Sequence, residues 1–174
     1  MMWDYWLTLY LETHSVARGL RSSTIAAYRA TLEGFRNYVR FRLEDQSPDA
    51  VTAADALGYV EYLRRERGNG DSAVNRQVTI LKNFYRAIVA MGYLEPSSNP
   101  MAHFPKVKAA PRKLPVHLSE EEMKRLLSAP PDDTVLGLRD RAILLLIYGT
   151  GIRASECAGL RECDIDFGNR TIFV

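Results

Sequence analysis

Residues 149–156 hold the side chains best suited to chemistry. They read Gly-Thr-Gly-Ile-Arg-Ala-Ser-Glu, which places Arg153 two residues after Gly151 and Glu156 three residues after the arginine. Glycine allows a sharp turn, and a helix that begins after the turn adds its N-terminal amides to an anion site beside the guanidinium. Because arginine makes bidentate, charge-assisted hydrogen bonds to phosphate, one interpretation of the pattern is an anion site that stabilises charge on a phosphate group.

The same spacing also has a simpler interpretation. Side chains three residues apart lie one turn apart on a helix, so Arg153 and Glu156 could form an ion pair on a surface. Spacing alone favours this structural pair, and the phosphate-binding interpretation needs support from the surrounding sequence.

Two predicted helices carry basic faces that could contact DNA. Amides, hydroxyls and cations at helical spacing suit phosphates and base edges, although a helix at the protein surface needs a charged outer face in any case. Acidic residues, which normally balance such a face, are scarce on both helices. The first face holds Arg29, Arg36 and Arg40, and the second holds Asn75, Arg76, Thr79, Lys82 and Arg86.

The elements that must position these residues are mainly helices. Apolar residues at helical spacing predict four helices before residue 93, of which the first ends near Gly19. Ser22 and Ser23 are candidate N-caps of the second helix, and Thr52 with Asp55 forms a variant of the capping box at the start of the third.

Five prolines between residues 95 and 115 predict an extended linker, because proline lacks the amide hydrogen and disfavours helix in the residue before it. We therefore expect a helical domain at 1–107, a linker at 108–116 and a second domain at 117–174.

The second domain begins with a capping box at Ser119 and Glu122. The helix containing Ala142–Tyr148 is nearly all apolar, which predicts burial on all sides. A short helix should follow Arg153, and two short strands should flank Gly168-Asn169.

Composition narrows the function classes only slightly. The chain has 174 residues and a formal net charge of +2, and no apolar run approaches the roughly 20 residues that cross a bilayer. We expect a cytoplasmic protein with no membrane partner. Cys157 and Cys163 lack metal-ligand spacing, so we interpret them as reduced thiols in the core and expect no metal site.

The run from Leu138 to Phe167 closely resembles the first conserved box of the tyrosine recombinases, especially the Xer-type and phage-integrase branch. The core of the resemblance is Gly149–Glu156, followed by Leu160 and Asp164-Ile165-Asp166. The first part agrees more loosely: segments around Ser23-Thr24 and Asn75-Arg76 resemble the second and fourth helices of the family's core-binding domain, and Pro105-Lys106 resembles its exit.

This resemblance implies a mainly α fold: a four-helix, SAM-like core-binding domain followed by a truncated α+β catalytic domain that ends in a short β-hairpin. It implies site-specific DNA recombination or integration, with double-stranded DNA as partner and no cofactor. Arg153 matches the first of the family's two catalytic arginines, and Glu156 matches a supporting acid. Thr24 and Lys106 join the expected DNA-contacting residues.

Members of the family break DNA by attack of a tyrosine hydroxyl on a phosphodiester. Relatives carry a catalytic lysine, a His-x-x-Arg box and the nucleophilic tyrosine after the segment that matches residue 174, and these 174 residues contain no His-x-x-Arg. Tyr148 lies on a helix expected to be buried, so we do not interpret it as the nucleophile. We expect a fragment that binds DNA without cleaving it.

The sequence leaves alternatives open for the oligomeric state, the origin and the binding partner of the chain. The resemblance implies tetramers on two DNA duplexes for full-length members, whereas we expect this chain to be monomeric. It could be a truncated recombinase or a piece of an intact one. The four helices could also form a protein-interaction module with no role in DNA binding.

Overall fold

The computed structural model describes residues 2–105, 108 and 116–174, which form two compact units, Met1–Arg112 and Lys113–Val174. Lys106 and most of the predicted linker lie outside the described residues. In the described part, no helix is both long enough and apolar enough to cross a membrane.

The first unit is a bundle of helices, as the sequence predicted. Its first helical stretch runs from α1 through one π-helical segment into α2, and it ends just before Gly19, which adopts a left-handed conformation (φ 67°) that glycine tolerates. The elements are α1 (Met2–Thr8), the π-helix (Leu9–His14), α2 (Ser15–Ala17), α3 (Ser22–Arg42), α4 (Ala53–Arg65), α5 (Asp71–Ala90) and a 3₁₀ turn (Pro96–Ser98).

An aromatic cluster forms the core of the first unit. The Phe84 ring of α5 stacks on Trp3, with ring centroids 6.5 Å apart, and meets the edge of Tyr10 at 5.4 Å. Trp3 also contacts Phe35 of α3 edge to face at 5.9 Å. Each of these residues is at most 4% exposed, so the cluster joins α1, α3 and α5 through large buried rings.

Buried polar groups attach the α3–α4 connection to this core. The indole nitrogen of Trp3 donates a hydrogen bond to the backbone oxygen of Gln46 (2.8 Å), and the Tyr85 hydroxyl donates to that of Pro48 (3.1 Å). A buried donor without a partner costs about 1–3 kcal/mol, so these bonds favour one path for the loop. Burial raises the pKa of Tyr85, which stays protonated at physiological pH.

The N-cap residues predicted from the sequence are confirmed for two helices and wrong for a third. Both predicted capping boxes are confirmed, at Thr52 with Asp55 and at Ser119 with Glu122. At α3 neither Ser22 nor Ser23 is the N-cap. Arg21 takes that place, because its extended backbone presents its carbonyl oxygen to the amides of the first helical turn, and the serines already lie inside the helix.

The second unit contains three helices and a two-stranded antiparallel hairpin among its described residues. The hairpin pairs Ile165 with Ile172, and its left-handed residue is Arg170 (φ 54°). The elements are α6 (Glu120–Ser128), α7 (Val135–Thr150), α8 (Ala154–Gly159), a 3₁₀ turn (Glu162–Asp164), β1 (Ile165–Asp166) and β2 (Thr171–Ile172).

The expected burial of α7 on all sides is wrong for the described residues. Ile143, Leu145 and Tyr148 are 39%, 48% and 58% exposed. Within this unit α7 packs against α6 and α8, and two short helices cannot cover a helix that is apolar around its whole circumference. The expectation of core cysteines is also wrong, because Cys157 is half-buried and Cys163, in the 3₁₀ turn, is exposed.

Gly34 and Gly58 provide a matched test of packing in the first unit. A Cβ on Gly34 would lie 3.5 Å from the Tyr59 hydroxyl, an ordinary contact, whereas one on Gly58 would lie 2.8 Å from the Tyr38 hydroxyl. Gly34→Ala should therefore raise the free energy of unfolding by about 0.5–1 kcal/mol through helix propensity, and Gly58→Ala should gain less or lose stability.

Urea unfolding followed by tryptophan fluorescence measures this difference, because both tryptophans of the chain, Trp3 and Trp6, lie in the first unit. Equal shifts in the two variants would contradict the packing difference and leave helix propensity as the sole cause.

Candidate nucleic-acid interface

Helix α5 presents its core side and its polar side as the sequence predicted. Val74, Val78 and Tyr85 are buried, while Thr79 and Arg86 are exposed on the opposite side. Asn75 and Lys82 are half-buried and Arg76 is exposed. The Thr79 hydroxyl donates to the backbone oxygen of Asn75 (2.8 Å), which leaves its oxygen lone pairs free to accept a hydrogen bond.

The Lys82 ammonium already has a hydrogen-bond partner within the protein, which its helical spacing did not indicate. Its ammonium donates to the backbone oxygen of Phe104 (2.8 Å) and lies 6.0 Å from the centre of the Phe104 ring. The lysine therefore attaches α5 to the segment that follows it. Two of its three N–H donors remain available, so it can still contribute positive charge at one edge of the face.

A cleft between the start of α3 and the middle of α5 brings together residues that are far apart in sequence. It has a volume of about 410 Å³, and Thr24, Arg76 and Thr79 lie on its walls beside Tyr28. Two hydroxyls and a guanidinium on one surface can hydrogen-bond a phosphate and accept from or donate to a base edge. The structure thus brings together three of the predicted DNA-contacting residues.

The arginines of α3 lie elsewhere and have acidic partners. Arg36 makes two hydrogen bonds to Asp4, at 2.7 and 3.1 Å, and Arg29 donates to Glu12 at 3.1 Å. The bond from Arg36 lowers the pKa of the Asp4 carboxyl. The expected scarcity of balancing acids holds along α3 itself, but Asp4 of α1 and Glu12 of the π-helix supply carboxylates from the first helical stretch.

The predicted basic residues therefore form two separate surfaces. Arg40 is exposed, with its guanidinium 5.7 Å from the Phe41 ring. Arg36 lies two positions from Gly34, a separation that places two side chains about 160° apart around a helix. Gly34 faces α4 and α5, so the arginines of α3 point to the other side.

Arg153 and Glu156 meet as the simpler interpretation predicted. The Glu156 carboxylate accepts from the backbone amide of Arg153 (2.7 Å) and from its guanidinium (2.8 Å). The backbone bond is the main cause of a lowered pKa for Glu156. Gly151 ends α7 in a left-handed conformation (φ 69°), and Arg153 is the N-cap of α8.

The ion pair leaves most of the arginine accessible. The Arg153 side chain is 82% exposed, compared with 30% for Glu156. Glu156 uses one oxygen for the backbone and the other for the guanidinium, so it orients Arg153 at the start of α8 while other N–H donors of the guanidinium remain available. An orienting pair and an anion-binding role are therefore compatible.

Sequence reasoning missed a second, larger groove, formed by α3, α4 and α5. Its walls include Tyr38, Phe41 and Tyr62. The available signal was a row of small residues on α3, at Ala27, Ala30 and Gly34, spaced three and four apart.

Among the described residues, no group of three His, Cys, Asp or Glu side chains is placed to hold a metal ion.

Two family models match the chain. Residues 7–92 match the model described as phage integrase, N-terminal SAM-like domain, and residues 117–174 match the model described as phage integrase family. The matches fall on the helical bundle and on the unit that carries Arg153.

Curated relatives match over nearly the whole chain. The tyrosine recombinase XerC of Halalkalibacterium halodurans is 34% identical over 98% of this chain and 55% of its own length, and the XerC of Oceanobacillus iheyensis is 36% identical over 97% and 55%. The tyrosine recombinase XerD of Listeria monocytogenes is 32% identical over 90% of this chain and 51% of its own length. The chain spans about half the length of these relatives.

A solved structure, described as the crystal structure of XerA recombinase, is 26% identical and matches 94% of this chain and 52% of that one. The TM-score is 0.49.

The two hydrogen bonds to Glu156 can be separated by titration. Its pKa lies below the ordinary 4.5 mainly because of the backbone amide of Arg153. In Arg153→Ala, which keeps that amide, the pKa should rise but remain below 4.5. A lowered pKa means that the interaction stabilises the folded state at neutral pH and is lost as the pH falls through that pKa.

Carbon-13 NMR of the glutamate carboxyls measures this, with Glu122 as an internal control because its pKa is lowered by Ser119 and should not respond to the substitution. A return of the Glu156 pKa to 4.5 would show that the guanidinium, rather than the amide, is the main cause.

Proposed function

Because this chain belongs to the tyrosine recombinase family, with Xer-type relatives along nearly its whole length, we propose that its first unit binds duplex DNA. The proposed contact surface is formed by the outer face of α5 and the start of α3. Since the chain spans about half of its relatives' length, the recombination activity of a whole protein is part of the proposal.

The observation that carries the proposal is the cleft that brings Thr24, Arg76 and Thr79 together. These residues come from two helices more than fifty positions apart, so their meeting depends on the fold and not on local sequence. None of the three belongs to the buried core. Thr24 and Arg76 can donate hydrogen bonds to a phosphate oxygen, and the Thr79 hydroxyl can accept one from a base edge.

The proposed contact residues fall into classes according to the part of the DNA that each side chain can bind. Arg76 and Arg86 suit phosphates, with which guanidinium groups pair strongly, and Lys82 adds charge beside them. Asn75, Thr79 and Thr24 suit base edges or the sugar-phosphate backbone. We propose Arg29, Arg36 and Arg40 as secondary contacts, since two of them have carboxylate partners that DNA would have to displace. Lys106 is proposed on the resemblance alone.

In the second unit we propose that Arg153 binds the phosphate at which strand exchange occurs. Attack on a phosphodiester places extra negative charge on its non-bridging oxygens, and a guanidinium fixed in advance stabilises that charge. Glu156 holds Arg153 in place and does not itself transfer a proton. A carboxylate with a lowered pKa is suited to this role, because it stays ionised and keeps both hydrogen bonds.

We further propose that these 174 residues bind DNA without cleaving it. The family's chemistry needs several cationic groups and a tyrosine at one phosphate. Of this set, Arg153 is the residue that the chain matches to a family cation. Domains 1–107 and 117–174 would then contribute separately, the first to duplex affinity and the second to contact with the reacting phosphate.

Duplex binding should depend on the α5 face and on salt. Arg76→Ala combined with Arg86→Ala should weaken binding about tenfold at low salt and reduce the slope of log affinity against log salt by about 1.8, because two phosphate contacts no longer release counterions. A gel-shift titration at several salt concentrations measures both quantities.

The matched control is Arg65→Ala combined with Lys124→Ala, which removes the same charge from two ion pairs within single helices. This control should leave the slope nearly unchanged. An equal loss in both double variants would refute the α5 face and indicate a general charge effect. Absence of duplex binding by the unsubstituted chain would favour the protein-interaction alternative.

We expect the chain to be monomeric without DNA and to assemble only on a duplex. Clustered arginines on several copies repel one another until phosphates neutralise them. Light scattering with and without duplex tests this, and a defined tetramer in the absence of DNA would contradict it.

A further inference from the structure

The groove between α3, α4 and α5 is distinct from the cleft assigned to duplex DNA. It has a volume of about 1110 Å³ and lies on the side of α3 away from Arg29 and Arg36. The two depressions share Ala27 and Arg76.

Small residues on α3 create the groove, and its floor is rigid. Ala30 and Gly34 leave space where larger side chains would reach α4. Beneath them lies Tyr59, which is 2% exposed and donates its hydroxyl hydrogen bond to Gln77 at 2.9 Å. The floor is therefore packed and its polar groups are satisfied before any ligand arrives.

Aromatic rings form the walls. Tyr38 and Tyr62 lie 5.2 Å apart, and the Arg42 guanidinium lies 5.9 Å from the centre of the Tyr62 ring. Phe41 is 75% exposed, with Arg40 over its ring. A phenylalanine so exposed at a groove that already contains tyrosines offers a flat apolar surface to a ligand.

The charged side chains that line the groove favour an anionic ligand. Three arginines and one glutamate line it. Arg42 forms an ion pair with that glutamate, Glu66, while Arg67 and Arg76 make no ion pair within the part of the chain that the structure describes. Both of these guanidinium groups are exposed. Amides from Asn37 and Asn69 add neutral hydrogen-bonding groups.

We propose that this groove binds an unpaired nucleic-acid strand. A base stacks on the exposed ring of Phe41, and the phosphates pair with Arg67 and Arg76. Aromatic rings combined with cations along a groove are the features that bind single strands with little sequence preference. A duplex presents base edges rather than base faces, so it would not use the rings. This activity goes beyond the proposed duplex binding and shares only Arg76 with it.

An acidic peptide is the competing occupant, since it would also pair with the arginines. It has no planar groups for the exposed ring of Phe41, and the asparagine amides suit base edges. The combination of rings, amides and cations therefore favours the nucleic acid.

Fluorescence anisotropy with a labelled oligothymidylate tests the proposal on the full chain. Phe41→Ala should weaken single-strand binding about fivefold or more, because loss of one stacked base has an effect of this order. Arg67→Ala should reduce the salt slope by about 0.7. Both residues are exposed, so neither substitution should disturb the fold.

A groove-filling variant provides a second measurement. Gly34→Leu places a side chain where single strands would bind, and its Cβ meets only the Tyr59 hydroxyl at 3.5 Å. It should weaken oligothymidylate binding while duplex affinity stays within about twofold. Arg86→Ala should do the opposite, lowering duplex affinity alone.

These outcomes separate the two proposals. Unchanged oligothymidylate affinity in both Phe41→Ala and Gly34→Leu would overturn the groove assignment, even where duplex binding holds. Binding of polyglutamate with no binding of oligothymidylate would overturn it in favour of an acidic protein partner. Loss of duplex binding with intact single-strand binding would refute the duplex surface and leave the groove assignment standing.

Discussion

The contact of Phe84 with three rings of α1 and the π-helix determines the arrangement of the first unit. Phe84 is fully buried in α5 and meets Trp3, Trp6 and Tyr10, so α5 is surrounded on its inner side. Because large rings admit few alternative packings, this contact fixes both the position and the rotation of α5. The polar side of α5 is then necessarily turned outward, and both depressions on the surface border that helix.

Local sequence patterns predicted the helices well because the determining interactions are short in range. The capping box at Thr52 and the apolar stripe of α5 involve residues three or four positions apart, and the structure reproduces both. The two basic faces were each predicted from the spacing within one helix, but Arg36 pairs with Asp4, thirty-two positions away. That pairing depends on how two helices cross, which helical spacing alone does not contain.

The small residues of α3 indicated space beside that helix, but the rings that line the large groove could not be inferred from the sequence, for a related reason. Tyr38, Tyr59 and Tyr62 each fit the apolar spacing of their own helix, and nothing local distinguishes a ring on a groove wall from one in the core. For α7 the error had the opposite sign, because the sequence predicted a buried helix and the structure shows exposed apolar side chains. An apolar helix predicts burial, but whether partners cover it depends on elements beyond its own residues, and in the described second unit α6 and α8 cover only part of it.

The π-helical segment at Leu9–His14 affects how this protein should be aligned with others. A π-turn accommodates one more residue than an α-turn over the same rise, and such turns are usually confined to a single stretch of a helix. Here the π-helical segment follows Trp3 and Trp6, contains Tyr10 and precedes the short α2. A relative whose first helix is α-helical throughout would carry one residue fewer at this point. A gap-free alignment across it would assign every position before the segment, including Trp3 and Trp6, to the wrong counterpart.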